Sequence, residues 1–195
     1  MATKNSIDSN IPIEIAKGGT NATTMATNTG IVKYDGTSLV TSSTALIDSS
    51  NRYTNTSQPA FSARASAQND VTGDGTTYTI IFANEIFDQG NNFDGTSTFT
   101  APVTGKYQFN VHFSLTGIVA GMTGLDAYIT TSKRTYYVLH SDVVSFSQGA
   151  SCRFTSSVLA DMDAGDTCVA KLQVSGGSKV IDIEAVSYFQ GFLVC

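Results

Sequence analysis

The sequence contains few charged residues, few cysteines and no tryptophan. Charged residues make up 14% of the 195 residues, and the formal net charge is −5. Proteins that bind nucleic acid neutralise its phosphates with clustered lysine and arginine, so this balance argues against a nucleic-acid partner. The sequence also lacks the run of about eighteen apolar residues that a membrane-spanning helix needs, and we therefore expect no membrane insertion.

The three cysteines, Cys152, Cys168 and Cys195, do not make a disulfide framework, and none lies in a CxxC pair. Zinc binding is therefore not expected. A bridge between Cys152 and Cys168 is possible if their strands are neighbours, but buried free thiols are the favoured interpretation. The beginning of the sequence lacks the apolar core of a secretion signal. We expect either a protein that is made in a cytoplasm and then assembled into a larger structure, or one whose secretion signal is missing from this sequence.

The clearest periodic stretch runs from Tyr107 to Leu115, where every second residue is apolar or aromatic. That period is typical of a strand with one buried face. Glycine, serine and threonine are abundant, which favours strands and turns over helices. Short strands are predicted near residues 59–67, 77–83, 97–101, 106–116, 124–131, 135–141, 151–160, 167–174, 179–185 and 187–194. Their spacing indicates an all-β sandwich or jelly roll with little helix.

Residues 1–58 differ in composition from residues 59–195. The first segment is rich in Thr, Asn, Ser, Gly and Ala, and it has too few apolar residues to bury a core of its own. Residues 30–40 predict a hairpin that turns at Asp35 and Gly36. We therefore predict a stalk or collar over residues 1–58, which ends in a turn-rich neck at residues 46–57, and a head over residues 59–195.

The head carries a set of aromatic, acidic and glycine residues at or near the spacing of a known signature: Phe82, Asp88, Phe93, Phe99, Gly105, Tyr107 and Phe109. In this spacing the head resembles the complement C1q globular-head domain, a jelly roll of the C1q/TNF-like superfamily. Residues 59–64, 164–169 and 187–194 are similar to the first strand, the turn before the penultimate strand, and the last strand of that family. The resemblance implies an all-β jelly-roll head that forms a homotrimer.

Residues 16–25, together with the hairpin that follows them, resemble segments of phage tail fibres and of large fibrous surface proteins of bacteria. This resemblance implies a β-rich trimeric stalk, in which three thin chains share one axial core. It also implies a location on a virion tail fibre or at a bacterial cell surface.

The trimer core is predicted from two strands of the head, to which we assign apolar residues on both faces. The residues are Tyr107, Phe109, Phe189 and Leu193. An outward apolar face of sufficient size marks a partner surface. In the family that the head resembles, these two segments lie in the inner sheet that packs about a threefold axis.

Lys133, Arg134 and Tyr136 are candidate ligand contacts, because a cation beside tyrosines at a hairpin tip suits an acidic or glycan partner. The favoured interpretation is a solvated turn with one tyrosine packed inward. No cofactor is expected, although two acidic turns give weak calcium candidates at Asp70, Asp74, Asp161 and Asp163. Tight turns select the same residue types.

The two histidines, His112 and His140, have no accompanying nucleophile motif, so we do not expect an enzyme. The favoured function is a trimeric fibre-tip head, which acts as an adhesin and binds a cell-surface receptor that is a glycan or a protein. One alternative is a structural domain that trimerises and caps the fibre without a ligand. The other is a glycan-active enzyme with a jelly-roll core, for which the sequence offers no evident pair of carboxylates.

Overall fold

The computed structural model describes residues 30–37, 39–142 and 151–195. The chain divides into two units, Met1–Ser57 and Gln58–Cys195. Every regular element among the described residues is a β-strand, and none of these residues belongs to a helix that could cross a membrane. The segment at residues 16–25, which resembles fibre proteins, lies outside the described residues.

The described residues of the first unit form one antiparallel sheet, in the order β1 (Gly30–Tyr34), β2 (Leu39–Ile47) and β3 (Tyr53–Asn55). The predicted hairpin is confirmed, since β1 pairs with β2. In its turn the backbone N–H of Thr37 donates to Asp35 Oδ1 at 2.9 Å, and Gly36 has a positive φ of 103°, which glycine adopts without steric cost. The third strand lies in the segment that the sequence predicted as a neck.

The second unit contains two antiparallel sheets. The larger sheet has seven strands: β4 (Ala60–Arg64), β5 (Gln68–Thr72), β7 (Asn84–Gln89), β9 (Gly105–Thr116), β12 (Cys152–Met162), β14 (Ile181–Ile183) and β15 (Tyr188–Leu193). The smaller sheet has five: β6 (Thr77–Thr79), β8 (Thr98–Thr100), β10 (Gly124–Thr131), β11 (Thr135–Ser141) and β13 (Thr167–Ser175). The two sheets share one hydrophobic core. The predicted all-β jelly-roll sandwich is confirmed.

The longest strand, β9, lies inside the larger sheet and spans 12 residues. One edge of β9 pairs with all 11 residues of β12. The other edge pairs with β15 and then with β14. Because successive side chains of a strand point to opposite faces, β9 supplies both the core and the outward surface of this sheet.

The core is built around Phe61. Its ring centroid lies 4.9 Å from that of Phe93, 5.0 Å from that of Phe99 and 5.0 Å from that of Phe189. Aromatic pairs at these distances stabilise a core beyond the area that they bury. The alternating residues of β9 complete this layer, and all of them are fully buried: Tyr107, Phe109, Val111, Phe113 and Leu115.

The prediction that placed Tyr107, Phe109 and Phe189 on a trimer axis is wrong. All three side chains have 0% exposure within a single subunit. The physical reason is strand alternation: Tyr107 and Phe109 are two residues apart and share the inward face, and Phe189 pairs with inward-facing Val111. Leu193 pairs with Tyr107 on the same side, where it packs partly buried against the core.

The cysteines are free thiols. Cys152 and Cys168 are buried and lie in different sheets, in β12 and β13, whereas Cys195 is exposed. The interpretation of Cys152 and Cys168 as buried free thiols is therefore confirmed.

The connection from β7 to β8 is held by one carboxylate. Asp94 Oδ1 accepts hydrogen bonds from the backbone N–H groups of Thr96 (2.8 Å), Ser97 (2.7 Å) and Thr98 (3.0 Å). Partial burial raises the pKa of Asp94, but these hydrogen bonds outweigh it and lower the pKa from 3.8 to about 2. The charged form therefore stabilises the folded state above pH 4, and this contribution is lost as the pH falls through 2.

Replacing Asp94 by asparagine is expected to lower the melting temperature at neutral pH, because the loop loses a charged acceptor worth roughly 1 to 2 kcal/mol. Thermal unfolding followed by circular dichroism at pH 7, 5, 3 and 2 measures the effect. The difference between the wild type and D94N should narrow below pH 4 and vanish near pH 2. A difference that is constant over this pH range would contradict the role of the charge.

Candidate functional site

The outward surface of the larger sheet is formed by the side chains of β9, β12 and β15 that point away from the core. We call it the β9 face, and it consists of Gln108, Asn110, His112, Ser114, Arg153, Thr155, Ser157, Leu159, Tyr188, Gln190 and Phe192. The strand register arranges these residues in rows across the three strands. The rows differ in chemistry from one end of the face to the other.

The first row is apolar. Gln108 lies between Phe192 on one neighbouring strand and Leu159 on the other. Phe192 is 42% exposed and Leu159 is 55% exposed. Edge strand β7 of the same sheet adds Phe87, which is also exposed and pairs with Ser62. Several large apolar side chains on one face of a sheet are typical of a surface that a partner covers.

The next rows are held together by contacts across the strands. The amide of Gln190 donates to Ser62 Oγ at 3.0 Å. The His112 ring stacks on the Tyr188 ring with centroids 5.2 Å apart, and His112 Nδ1 lies 2.9 Å from Thr155 Oγ1. These contacts therefore tie neighbouring strands together on the β9 face.

The last row contains an ion pair between Arg153 and Glu184, which lie 3.3 Å apart and are also bridged by Ser114. Arg153 Nε donates to Ser114 Oγ at 2.8 Å, and Ser114 Oγ donates to the Glu184 carboxylate. The Ser114 hydrogen bond and the nearby charge of Arg153 lower the pKa of Glu184. Among the described residues, Ser114 and His112 bond to different partners. This row therefore does not have the serine–histidine hydrogen bond of an activated nucleophile.

The predicted ligand residues lie in and after the turn between β10 and β11, and they do not form one site. Lys133 Nζ contacts Asp163 Oδ2 at 2.5 Å and Asp166 Oδ2 at 3.5 Å, so its charge is compensated within the head. The hydrogen bond to Asp163 raises the pKa of Lys133. Arg134 is exposed, whereas Tyr136 packs partly buried against the core. Exposed Tyr137 is the tyrosine that points outward.

Three of the four calcium candidates, Asp74, Asp161 and Asp163, use their carboxylates in internal bonds. Asp161 pairs with Lys106 and Asp163 with Lys133. Asp74 Oδ1 accepts the backbone N–H of Thr76 at 3.0 Å. The backbone N–H of Asp70 donates to Asp182. Within the described ranges, no group of three or more His, Cys, Asp or Glu side chains could hold a metal ion.

Sequence reasoning missed Leu159, Phe192, Tyr188 and His112. The signal for the β9 face was available, because the same alternation that buries Tyr107 and Phe109 points Gln108 and His112 outward. In β15 it likewise assigns Tyr188 and Phe192 to the face opposite Phe189. What the sequence did not provide is the register that brings Leu159 into the row of Phe192.

The family model of the C1q domain matches residues 60–194. No match is found among curated proteins. Among solved structures, the globular domain of the zebrafish complement 1qA protein is 21% identical, with a TM-score of 0.49, over 71% of this chain and 98% of that chain. Murine APRIL is 10% identical, with a TM-score of 0.47, over 70% of this chain and 99% of that chain. The family assignment depends on the sequence match and not on these two likenesses.

Proposed function

The chain belongs to the C1q domain family, and on that premise we propose that it is a homotrimeric head that binds a cell-surface receptor. Domains of this family are generally trimeric and ligand-binding, and they are generally not enzymes. The proposed role is that of an adhesin or receptor-binding protein, in which three identical heads on one axis convert weak contacts into useful avidity.

One observation carries the trimer: the row of Phe192, Gln108 and Leu159 on the β9 face, together with exposed Phe87 on edge strand β7 in the neighbouring row. In a threefold assembly each subunit uses two different surfaces, since the interface is heterologous and closes into a ring. In this head, the exposed sheet edge at β7 and the partly apolar β9 face supply two such surfaces. An obligate interface of this kind buries on the order of 2,000 Å² or more.

The first unit supports the proposal of a fibre stalk. Its three strands leave several large side chains exposed: Ile31, Val32, Tyr34, Ile47 and Tyr53. One thin sheet does not bury enough apolar surface to offset its chain entropy, whereas three copies around an axis bury these side chains against one another. We propose that the head lies at the tip of a fibre on a virion tail or a bacterial surface.

The binding role is tested with the purified chain carrying a fluorescent label, incubated with panels of bacterial and eukaryotic cells. We expect saturable binding to at least one cell type, displaced by unlabelled chain. The avidity of three heads predicts that a monomeric form competes at least tenfold more weakly than the trimer. Absence of saturable binding on every cell type would favour the alternative, a structural domain that caps the fibre.

A further inference from the structure

A β-bulge in β11 builds a second cluster, on the smaller sheet. The register between β10 and β11 pairs Ala127 with Leu139 but Tyr128 with Tyr137, so Val138 is the extra residue. In a regular strand, residues three apart point to opposite faces. The bulge instead places Tyr137 and His140 on the same outward face, with ring centroids 6.1 Å apart. Bulges that re-aim side chains occur often beside functional sites.

We call this surface the β10 face, and its cluster consists of Asp126, Tyr128, Tyr137, His140 and Gln173. The rings of Tyr128 and Tyr137 meet edge to face at 4.9 Å. His140 Nδ1 hydrogen-bonds to the Asp126 carboxylate. Three strands, β10, β11 and β13, therefore contribute side chains to one spot.

The base of the cluster is fixed. The Tyr128 hydroxyl donates to Gln173 Oε1 at 2.9 Å, and Gln173 Nε2 donates to the backbone oxygen of Gly75 at 2.5 Å. Burial and the nearby charge of Asp126 raise the pKa of Tyr128 to about 12. Tyr128 therefore keeps its proton at neutral pH and remains a hydrogen-bond donor.

The upper part of the cluster is open to solvent. Tyr137 is 64% exposed, and the side chains of His140 and Asp126 are 79% and 23% exposed. A flat ring, a carboxylate and an imidazole thus face the same space above a rigid base. The side chains at the base of the cluster are already hydrogen-bonded. A ligand therefore binds without the entropy cost of ordering these side chains.

The composition of the cluster selects among ligands. A carboxylate at the centre disfavours phosphates, sialic acids and uronic acids by like-charge repulsion. One exposed ring is too small an apolar area for a hydrophobic helix, and the described residues offer no third metal ligand. An uncharged pyranose fits, because its C–H face packs on an aromatic ring while its hydroxyls donate to a carboxylate and accept from an imidazole N–H.

We propose that the β10 face binds an uncharged hexopyranose of a surface glycan, with Tyr137 stacking on the sugar ring and Asp126 and His140 bonding its hydroxyls. This assignment rests on the proposed receptor-binding function and names its ligand class. The site lies on the smaller sheet, whereas the β9 face belongs to the larger sheet.

The test uses an array of immobilised neutral and acidic oligosaccharides, probed with the full chain and with single variants. The wild type should bind neutral glycans. Tyr137→Ala should lower the apparent affinity at least tenfold, since stacking on the ring is lost, whereas Tyr137→Phe keeps the ring and should stay within about threefold. Asp126→Asn should lower it about tenfold, because a charged acceptor is stronger than an amide. Val103→Ala truncates an exposed side chain in the connection between β8 and β9, outside the β10 face, and serves as the control.

Melting temperatures and masses of all variants verify that the fold and the assembly are unchanged, as expected for an exposed side chain. Binding only to acidic glycans, or an affinity of Tyr137→Ala equal to that of Val103→Ala, would overturn the sugar site. Saturable binding to cells without binding to any neutral glycan would also overturn it while leaving the proposed receptor function intact. Absence of both cell and glycan binding would overturn both proposals.

Discussion

Replacing Gly191 by valine is expected to destabilise the head strongly. A Cβ at this position would lie 2.6 Å from Phe109 Cδ1 and 2.7 Å from Phe61 Cε1. Both rings are fully buried and packed against further rings of the core, so they have no free space to move into. Overpacking of such a core costs roughly 1 to 3 kcal/mol or more. Since valine adds three carbons, we expect the upper end of that range.

The measurement is thermal and urea unfolding at one fixed protein concentration, because the proposed trimer would make the melting temperature depend on concentration. A loss of about 3 kcal/mol corresponds to a fall of roughly 10 °C for a domain of this size. Gly124→Val is the matched control, since a Cβ at Gly124 meets no atom within 4 Å. Equal melting temperatures for the two variants would show that the aromatic core around Phe61 is not packed as described.

The double substitution of Leu159 and Phe192 by glutamate is expected to convert the trimer into a monomer. The proposed trimer would then contain six new carboxylates in interfaces from which water is excluded. Burying an unpaired charge costs several kcal/mol per site. Both side chains are about half exposed in the isolated subunit, so the fold itself tolerates the change. Sedimentation velocity should report one chain of 20.6 kDa in place of three.

Val119→Glu provides the control for this prediction. Val119 is as exposed as Phe192 but lies in the connection between β9 and β10, away from the β9 face. This variant should stay trimeric. If the Leu159 and Phe192 double variant has the same mass in solution as the wild type, the β9 face is not the interface between subunits. This conclusion holds for any number of subunits in the wild type.

The sandwich could be predicted from the sequence because its central strand carries a clear signal. The alternation from Tyr107 to Leu115 assigns an entire face of β9 to the core, and this assignment is confirmed at every position. Two strands, β5 and β7, were not predicted. Their outward residues include Asp70 and Glu85, and β7 is an edge strand in which Ile86 and Phe87 are both exposed, so the two-residue period is lost.

The candidate sites were predicted less well, because they depend on register between distant strands. Tyr136 and Lys133 looked like ligand residues when only their neighbours in sequence were considered. In the fold, Asp163, which lies 30 residues further along the chain, compensates the charge of Lys133. A bulge at Val138 then gives the outward position to Tyr137 and aligns it with His140. The local sequence around β11 predicts neither the ion-pair partner of Lys133 nor the bulge at Val138.

The mass of the full chain in solution tests the central claim most directly. Sedimentation equilibrium at micromolar concentration should give three times the chain mass of 20.6 kDa, with no detectable single chain. A protein that remains at 20.6 kDa across this range, with the Phe192 and Leu159 row open to water, would contradict the account.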